Sequence, residues 1–268
     1  MRPRRLASLL VLLFFPALAL AWGDLGHRLV GALAEDALRP ATRERALALL
    51  AADPIDAGGH FADVANWADA VRGARDPRYP EGWRWHWTRF ADASCRYDAL
   101  RQCPGGQCIV GAIARFRERL ADASLPPPQR AEALRFLVHF LGDVHQPLHA
   151  GYRQDRNGFD VSLTWQGKPW SLHGVWDYAL LASRGLDEPA YARALAAQPL
   201  PAAGPLDAAH WAESSCRATR DGGVYPPGHA LERRWVNARR ALAERRVRLA
   251  AARLAAVVEA ALGDPPPS

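Results

Sequence analysis

Phe136-Leu137-Val138-His139-Phe140-Leu141-Gly142-Asp143-Val144-His145-Gln146-Pro147-Leu148-His149 is the stretch on which the reading of this chain turns. Apolar residues recur at three- and four-residue intervals from Pro128 to Asp143, which predicts a helix there. His139 and Asp143 are four residues apart, so a helix brings both side chains to one face, about one turn apart. Pro147 ends that helix and reorients the chain before His149, and Pro126-Pro127-Pro128 punctuates its start. His173-Gly174-Val175-Trp176-Asp177 repeats the His-x-x-x-Asp arrangement on a second predicted helix. Upstream stand His27, Asp69 and His86.

One His-x-x-x-Asp pair is weak evidence, because salt-bridged pairs at that spacing are common. Two such pairs in apolar surroundings, with more histidine and aspartate around them, point to metal. Buried carboxylates and imidazoles need partners, and a cation supplies one. Mixed imidazole and carboxylate ligands suit zinc. The candidates outnumber the four ligands of one structural site, which points to a multinuclear hydrolytic centre.

Outward from this core the same helical period appears in Leu25–Leu38, Thr42–Leu50, Phe61–Arg72, Ile109–Asp122, Leu172–Arg184, Pro189–Ala196, Leu206–Thr219 and Gly228–Leu262. The charge run from Glu232 to Arg248 reads as a solvated face. Only Asp160–Trp165 alternates like a strand, and with Lys168–Leu172 it forms a small hairpin around Gln166-Gly167. The expectation is an all-α protein: one mainly helical domain over residues 22–263 with one β-hairpin, and a disordered tail at 264–268.

The chain has 268 residues, 49% of them apolar, enough for one domain with a real core. The first 21 residues read as a secretory signal: basic Arg2, Arg4 and Arg5, an apolar run from Leu6 to Leu20, and a small-x-small end at Ala19-Leu20-Ala21. No later stretch reaches transmembrane length, so a soluble exported protein, periplasmic or secreted and without stable membrane association, is expected. Cleavage removes the three arginines, lowers the formal charge from +6 to +3, and leaves Trp22 with a free α-amine able to bind metal when neutral. The four cysteines suggest disulfides in such a compartment. They allow three pairings; the turn Pro104-Gly105-Gly106-Gln107 favours Cys103 with Cys108, which leaves Cys95 to reach Cys216, and a zinc site is the alternative.

The residues resemble the zinc-dependent, single-strand-specific nucleases of moulds, plants and bacteria, which share a fold with bacterial zinc phospholipase C. The resemblance rests on Trp22-Gly23-x-x-Gly26-His27, Asn66-Trp67-Ala68-Asp69-x-x-Arg72, Trp85-His86-Trp87, the quoted stretch, and Leu172-His173-Gly174-Val175-Trp176-Asp177. It implies three zinc ions. Asp69, His86, His139 and Asp143 would hold one; the amine and carbonyl of Trp22, with His27 and a bridging Asp143, a second; His149, His173 and Asp177 the third. His145 is not a ligand in that family and reads as structural. The family's pairing of a short and a long cysteine loop agrees with Cys103–Cys108 and Cys95–Cys216.

The resemblance also implies the chemistry. Two close zinc ions share a water and lower its pKa from 15.7 toward ~7, and the third stabilises the leaving 3′ oxygen, so products carry 5′ phosphates. Asp69, Arg72 and Asp143 are the expected catalytic residues, with Arg72 donating to a phosphate oxygen. Trp87 occupies the family's base-stacking position, and base stacking would favour single strands. Two departures stand out. The family's Asp-Arg-Gly-Gly-Asn reads Asp155-Arg156-Asn157-Gly158-Phe159 here, so Phe159 replaces a phosphate-contacting Asn and Asn157 is the candidate substitute. Three residues after His86, where the family often has a base-reading Asp, stands Arg89. The alternatives are a phospholipase C, against which Asp177 stands in place of that branch's Glu, and a zinc-binding protein without turnover. The expected partner is single-stranded nucleic acid, and the expected state a monomer.

Overall fold

The structure, a computed structural model, describes residues 22–53 and 59–263; the expected signal segment at 1–21 and tail at 264–268 lie outside the described residues. The element order is α1 (Gly23–Asp36), α2 (Pro40–Ala51), α3 (Phe61–Val64), α4 (Trp67–Ala74), β1 (Thr88–Phe90), α5 (Ala99–Gln102), α6 (Ile109–Ala121) and α7 (Pro127–His145). Then come β2 (Ala150–Tyr152), β3 (Ser162–Trp165), β4 (Lys168–Ser171), α8 (Leu172–Gly174), α9 (Leu180–Ala182), α10 (Glu188–Ala196), α11 (Ala208–Asp221) and α12 (Arg233–Leu262). The mainly helical class is as the periodicity predicts.

The axis of the fold is α7. Proline at its first turn costs no hydrogen bond, since that N–H has no helical partner, and Pro147 turns Gln146 out of the helix at ψ 120°. Helices α1, α2, α6, α11 and α12 surround it. Every residue from Ala133 to His145 is buried, so over this length the helix has no solvent face. Phe136 stacks on Phe116 of α6 with centroids 4.3 Å apart, and Phe140 stacks on Phe136 at 5.3 Å. Cys95–Cys216 and Cys103–Cys108 are both disulfides.

The hairpin is also as expected: β3 and β4 pair antiparallel around Gln166 and Gly167, both with positive φ, as a tight two-residue turn requires. The parallel pairing of β1 with β2 has no signal in the alternation of such short segments.

Three expected helices differ. Phe61–Arg72 is broken at Ala65 and Asn66, because the Ala65 carbonyl accepts a hydrogen bond from His139 Nδ1 at 2.7 Å. Leu172–Arg184 is α8 and α9 joined by a π-helical turn, Val175–Ala179, which carries Asp177; π turns concentrate at functional sites. Gly228–Leu262 begins only at Arg233, because Thr164 of β3 takes the preceding segment as a strand-like partner, donating to His229 and accepting from Leu231. The charge run on α12 is also not wholly solvated: Arg246 is 6% exposed.

Candidate metal centre

His27, Asp69, His86, His139, Asp143, His149, His173 and Asp177 are all buried and converge, although they come from seven separate segments. In a tetrahedral shell of bonds near 2.0–2.2 Å, ligand atoms lie about 3.3 Å apart. Around the first group, His86 Nδ1 is 3.1 Å from His139 Nε2 and 3.0 Å from Asp143 Oδ2. His139 Nε2 is 3.1 Å from Asp143 Oδ2, and Asp69 Oδ1 lies 3.5 and 3.6 Å from the two histidines. These separations match such a shell.

The other oxygen of Asp143 faces a second group. Its Oδ1 is 3.3 Å from His27 Nε2, and the His27 ring stacks on His139 with centroids 3.8 Å apart. This close approach explains Gly142, where a Cβ would meet His27 Nδ1 at 2.6 Å. In the third group His173 Nε2 is 3.2 Å from Asp177 Oδ2 and His149 Nε2 is 3.8 Å from Asp177 Oδ1. Each of the three groups is able to hold a metal ion.

The tautomers are set for metal. His139, His149 and His173 direct Nδ1 at the carbonyls of Ala65, His86 and Asn157, at 2.7, 2.7 and 2.8 Å. That leaves each Nε2 lone pair facing the site, the arrangement metal-ligating histidines adopt. Both ring nitrogens of His27, Asp143 Oδ1, His149 Nε2 and Asp177 Oδ2 are buried without a hydrogen-bond partner. Buried polar atoms are normally satisfied, so these atoms fit a cation.

The electrostatics agree. Burial pushes His86 down to about 4 and lowers His27. Burial also opposes ionisation of Asp143, yet His139 and His149 hold its carboxyl well below the usual range. In return, against the effect of burial, Asp143 raises His139 and lifts His149 to about 9. The cluster needs positive charge, and a metal meets that need in place of protons.

Trp22 packs against the second and third groups. It is buried, its ring N–H donates to the Gly142 carbonyl at 2.7 Å, and its backbone nitrogen donates to Asp177 Oδ1 at 3.1 Å. In the uncleaved chain this nitrogen is a peptide amide, a donor without a free lone pair, so it faces a carboxylate. Arg72 reaches Asp69 Oδ1 at 2.8 Å. Trp87 is half-buried, with the Arg89 guanidinium 4.1 Å over its ring. Phe159, 36% exposed, stacks on His173 at 3.9 Å. Asn157 is turned inward: it is 1% exposed at φ 63°, its amide donates to the Thr88 carbonyl at 3.4 Å, and it orients His173 rather than facing outward. Asn tolerates that left-handed backbone, which explains its presence.

The sequence reading missed Gln146. Its amide donates to Asp177 Oδ1 at 2.8 Å while its carbonyl accepts from Leu148 N, so one side chain fixes Asp177 and the turn carrying His149. Its place between a helix end and Pro147 was the available signal.

A mainly helical chain with three converging groups of buried histidine and aspartate defines a protein equipped to bind metal. The profile of the S1/P1 nuclease family matches residues 22–263, and the chain belongs to that family. It is similar to Endonuclease 3 of Arabidopsis thaliana, 34% identical over 66% of this chain and 60% of that protein. Nuclease P1 of Penicillium citrinum is 34% identical over 58% of this chain and 57% of its own length. Nuclease S1 of Aspergillus oryzae is 31% identical over 65% and 60%. The chain thus spans less than two thirds of the length of these curated relatives.

Proposed function

We propose that the chain is a zinc-dependent phosphodiesterase that cleaves single-stranded nucleic acid and leaves 5′ phosphates. One observation carries the reading: Asp143 presents Oδ2 to His86 and His139 and Oδ1 to His27, so a single buried carboxylate joins two ligand groups. Asp69, His86, His139 and Asp143 would hold the first zinc, and His149, His173 and Asp177 the third. His27 and Asp143 would hold the second, together with the amine and carbonyl of Trp22 once cleavage frees that amine. Zinc bound there supplies Lewis acidity toward phosphate and a water whose pKa falls from 15.7 to about 7.

The chain's own residues do the rest. Arg72, anchored on Asp69, donates to a non-bridging phosphate oxygen. Water adds to phosphorus, the P–O3′ bond breaks, and the 3′ oxygen takes a proton. Trp87 offers a stacking surface to a base, which a base inside a duplex cannot reach. Phe159 covers the His173 ring, which makes the rim of the third group apolar. Export through the 1–21 segment accords with two disulfides, which persist in oxidising compartments. None of the described helices is long and apolar enough to cross a membrane.

The test is hydrolysis of single-stranded RNA and DNA by the purified chain, beside phosphatidylcholine, with and without chelator. Nucleotides with 5′ phosphates, lost on chelation, are the expected result. Cleavage of phosphatidylcholine alone overturns it.

A further inference from the structure

Beside the first ligand group opens a cleft of about 540 Å³ whose lining includes His86 and Arg72. Arg72 of α4, Arg75 just past the end of that helix, Tyr79, Pro80 and Trp83, the last on the 3-10 turn Gly82–Arg84, line it as well. A volume of this size suits a small-molecule site, typically ~300–1,000 Å³. Trp83 is 49% exposed, an unusual degree for a large aromatic residue on a wall that leads to a buried polar centre. Arg84 lies 4.8 Å over its ring and is itself paired with Glu81, which holds the indole in place. Arg75 is exposed, and the neighbouring carboxylate, Asp76, is engaged by Arg78 at 2.6 Å. Tyr79 is anchored through its hydroxyl to Glu132, so its ring is a fixed wall.

We infer that this cleft is a second nucleotide subsite, which receives the nucleoside on the 5′-phosphate side of the scissile bond. The chemistry is that of a nucleotide: an aromatic face for a base, an apolar side for a sugar, and arginines toward the phosphate. The geometry places Arg72 between Asp69 and the cleft, so a phosphate held by Arg72 has one ester arm directed into it. Trp87 lies one residue beyond His86, and its ring is 6.1 Å from that of Trp83. The two indoles therefore form one aromatic surface beside the first ligand group, on which successive bases can stack. This inference rests on the phosphodiesterase reading and adds to it a preference for diesters with a nucleoside on both sides of the phosphate.

The test compares two diesters with the zinc-loaded chain: the dinucleotide of two thymidines, and thymidine 3′-methyl phosphate. Both have the same leaving 3′ oxygen, but only the dinucleotide has a nucleoside for the cleft. Trp83→Ala is expected to lower kcat/KM for the dinucleotide about tenfold, within the range that base stacking contributes, and to leave the methyl ester unchanged. Trp83→Phe restores most of the loss. Binding of thymidine 5′-phosphate, followed by calorimetry, weakens by a similar factor in Trp83→Ala. Equal losses on both diesters, or none on the dinucleotide, overturn the subsite. A wild-type chain that cleaves neither diester overturns the phosphodiesterase reading instead, and the calorimetry then decides the cleft by itself.

Discussion

Helix α7 carries a buried polar cluster on each of two sides, and the two are built on opposite principles. On one side His139 and Asp143 face other buried aspartates and histidines, with Asp143 Oδ1 and both nitrogens of His27 left without hydrogen-bond partners. On the other side His145 meets two arginines of α12. Its Nδ1 donates to the Leu141 carbonyl at 2.6 Å, and its Nε2 accepts from Arg253 at 2.7 Å. Arg246 donates to the His145 carbonyl at 2.8 Å and to Ser214 at 3.1 Å, and Arg253 donates to the Ala203 carbonyl at 3.0 Å. Both clusters are buried. What separates them is satisfaction: one has lone pairs that converge without a hydrogen-bond donor, whereas the other has a donor for each of these acceptors. His145, its lone pair already taken by a guanidinium, has nothing to offer a metal, although it lies only two residues from Asp143.

The sharpest way to break this division is Asp143→Asn. It removes the anion shared by two groups, so bound zinc per chain falls and hydrolysis drops on the order of 10³-fold or more, as expected when several kcal/mol of charge stabilisation are lost. Retained rate and zinc would sink the bridging assignment. Next in size is chelation of the loaded chain, which withdraws about 4 kcal/mol of stability for each ion present at a thousand times its Kd. The melting temperature falls accordingly, and an unchanged melting curve would contradict a buried metal centre.

Arg253→Met probes the satisfied side. It strands His145 Nε2 and costs about 1–3 kcal/mol in urea denaturation, with zinc content and kcat unaltered. Loss of zinc in this variant would erase the distinction between the clusters. The smallest effect concerns Glu35, a buried carboxylate with every need met. Burial alone would raise it, but the Phe61 N–H, His60 and Arg43 hold it below its usual value. A lowered folded-state pKa contributes stability that is full above ~4.3 and lost as pH falls through the lower folded value. Glu35→Gln should therefore lose about 1 kcal/mol at neutral pH, with the gap to wild type closing below pH ~4.3. A gap that widens in acid would reverse the sign.

Much of this centre was legible in one dimension. The His139–Asp143 and His173–Asp177 spacings, the break at Pro147, the hairpin at Gln166-Gly167 and the Cys103–Cys108 pair follow from local chain geometry. That buried histidines and aspartates in such numbers need a counter-charge was also legible, whereas their division into three groups came from the family resemblance. What stayed hidden depends on partners remote in sequence. The break at Ala65 exists because His139, 74 residues away, takes its carbonyl. Asn157 is turned inward because His173 and Thr88 claim it, and Trp22 faces Asp177 across 155 residues.

By itself, then, the sequence determined the mainly helical class, the hairpin and the residue types able to bind a metal, because periodicity and residue chemistry are properties of short segments. Only the tertiary structure decided which oxygen of Asp143 serves which group, that Gln146 holds Asp177, and that Trp83 walls a cleft beside His86. Those are relations among backbone carbonyls, side-chain ends and empty space, and they come into being only when distant segments pack.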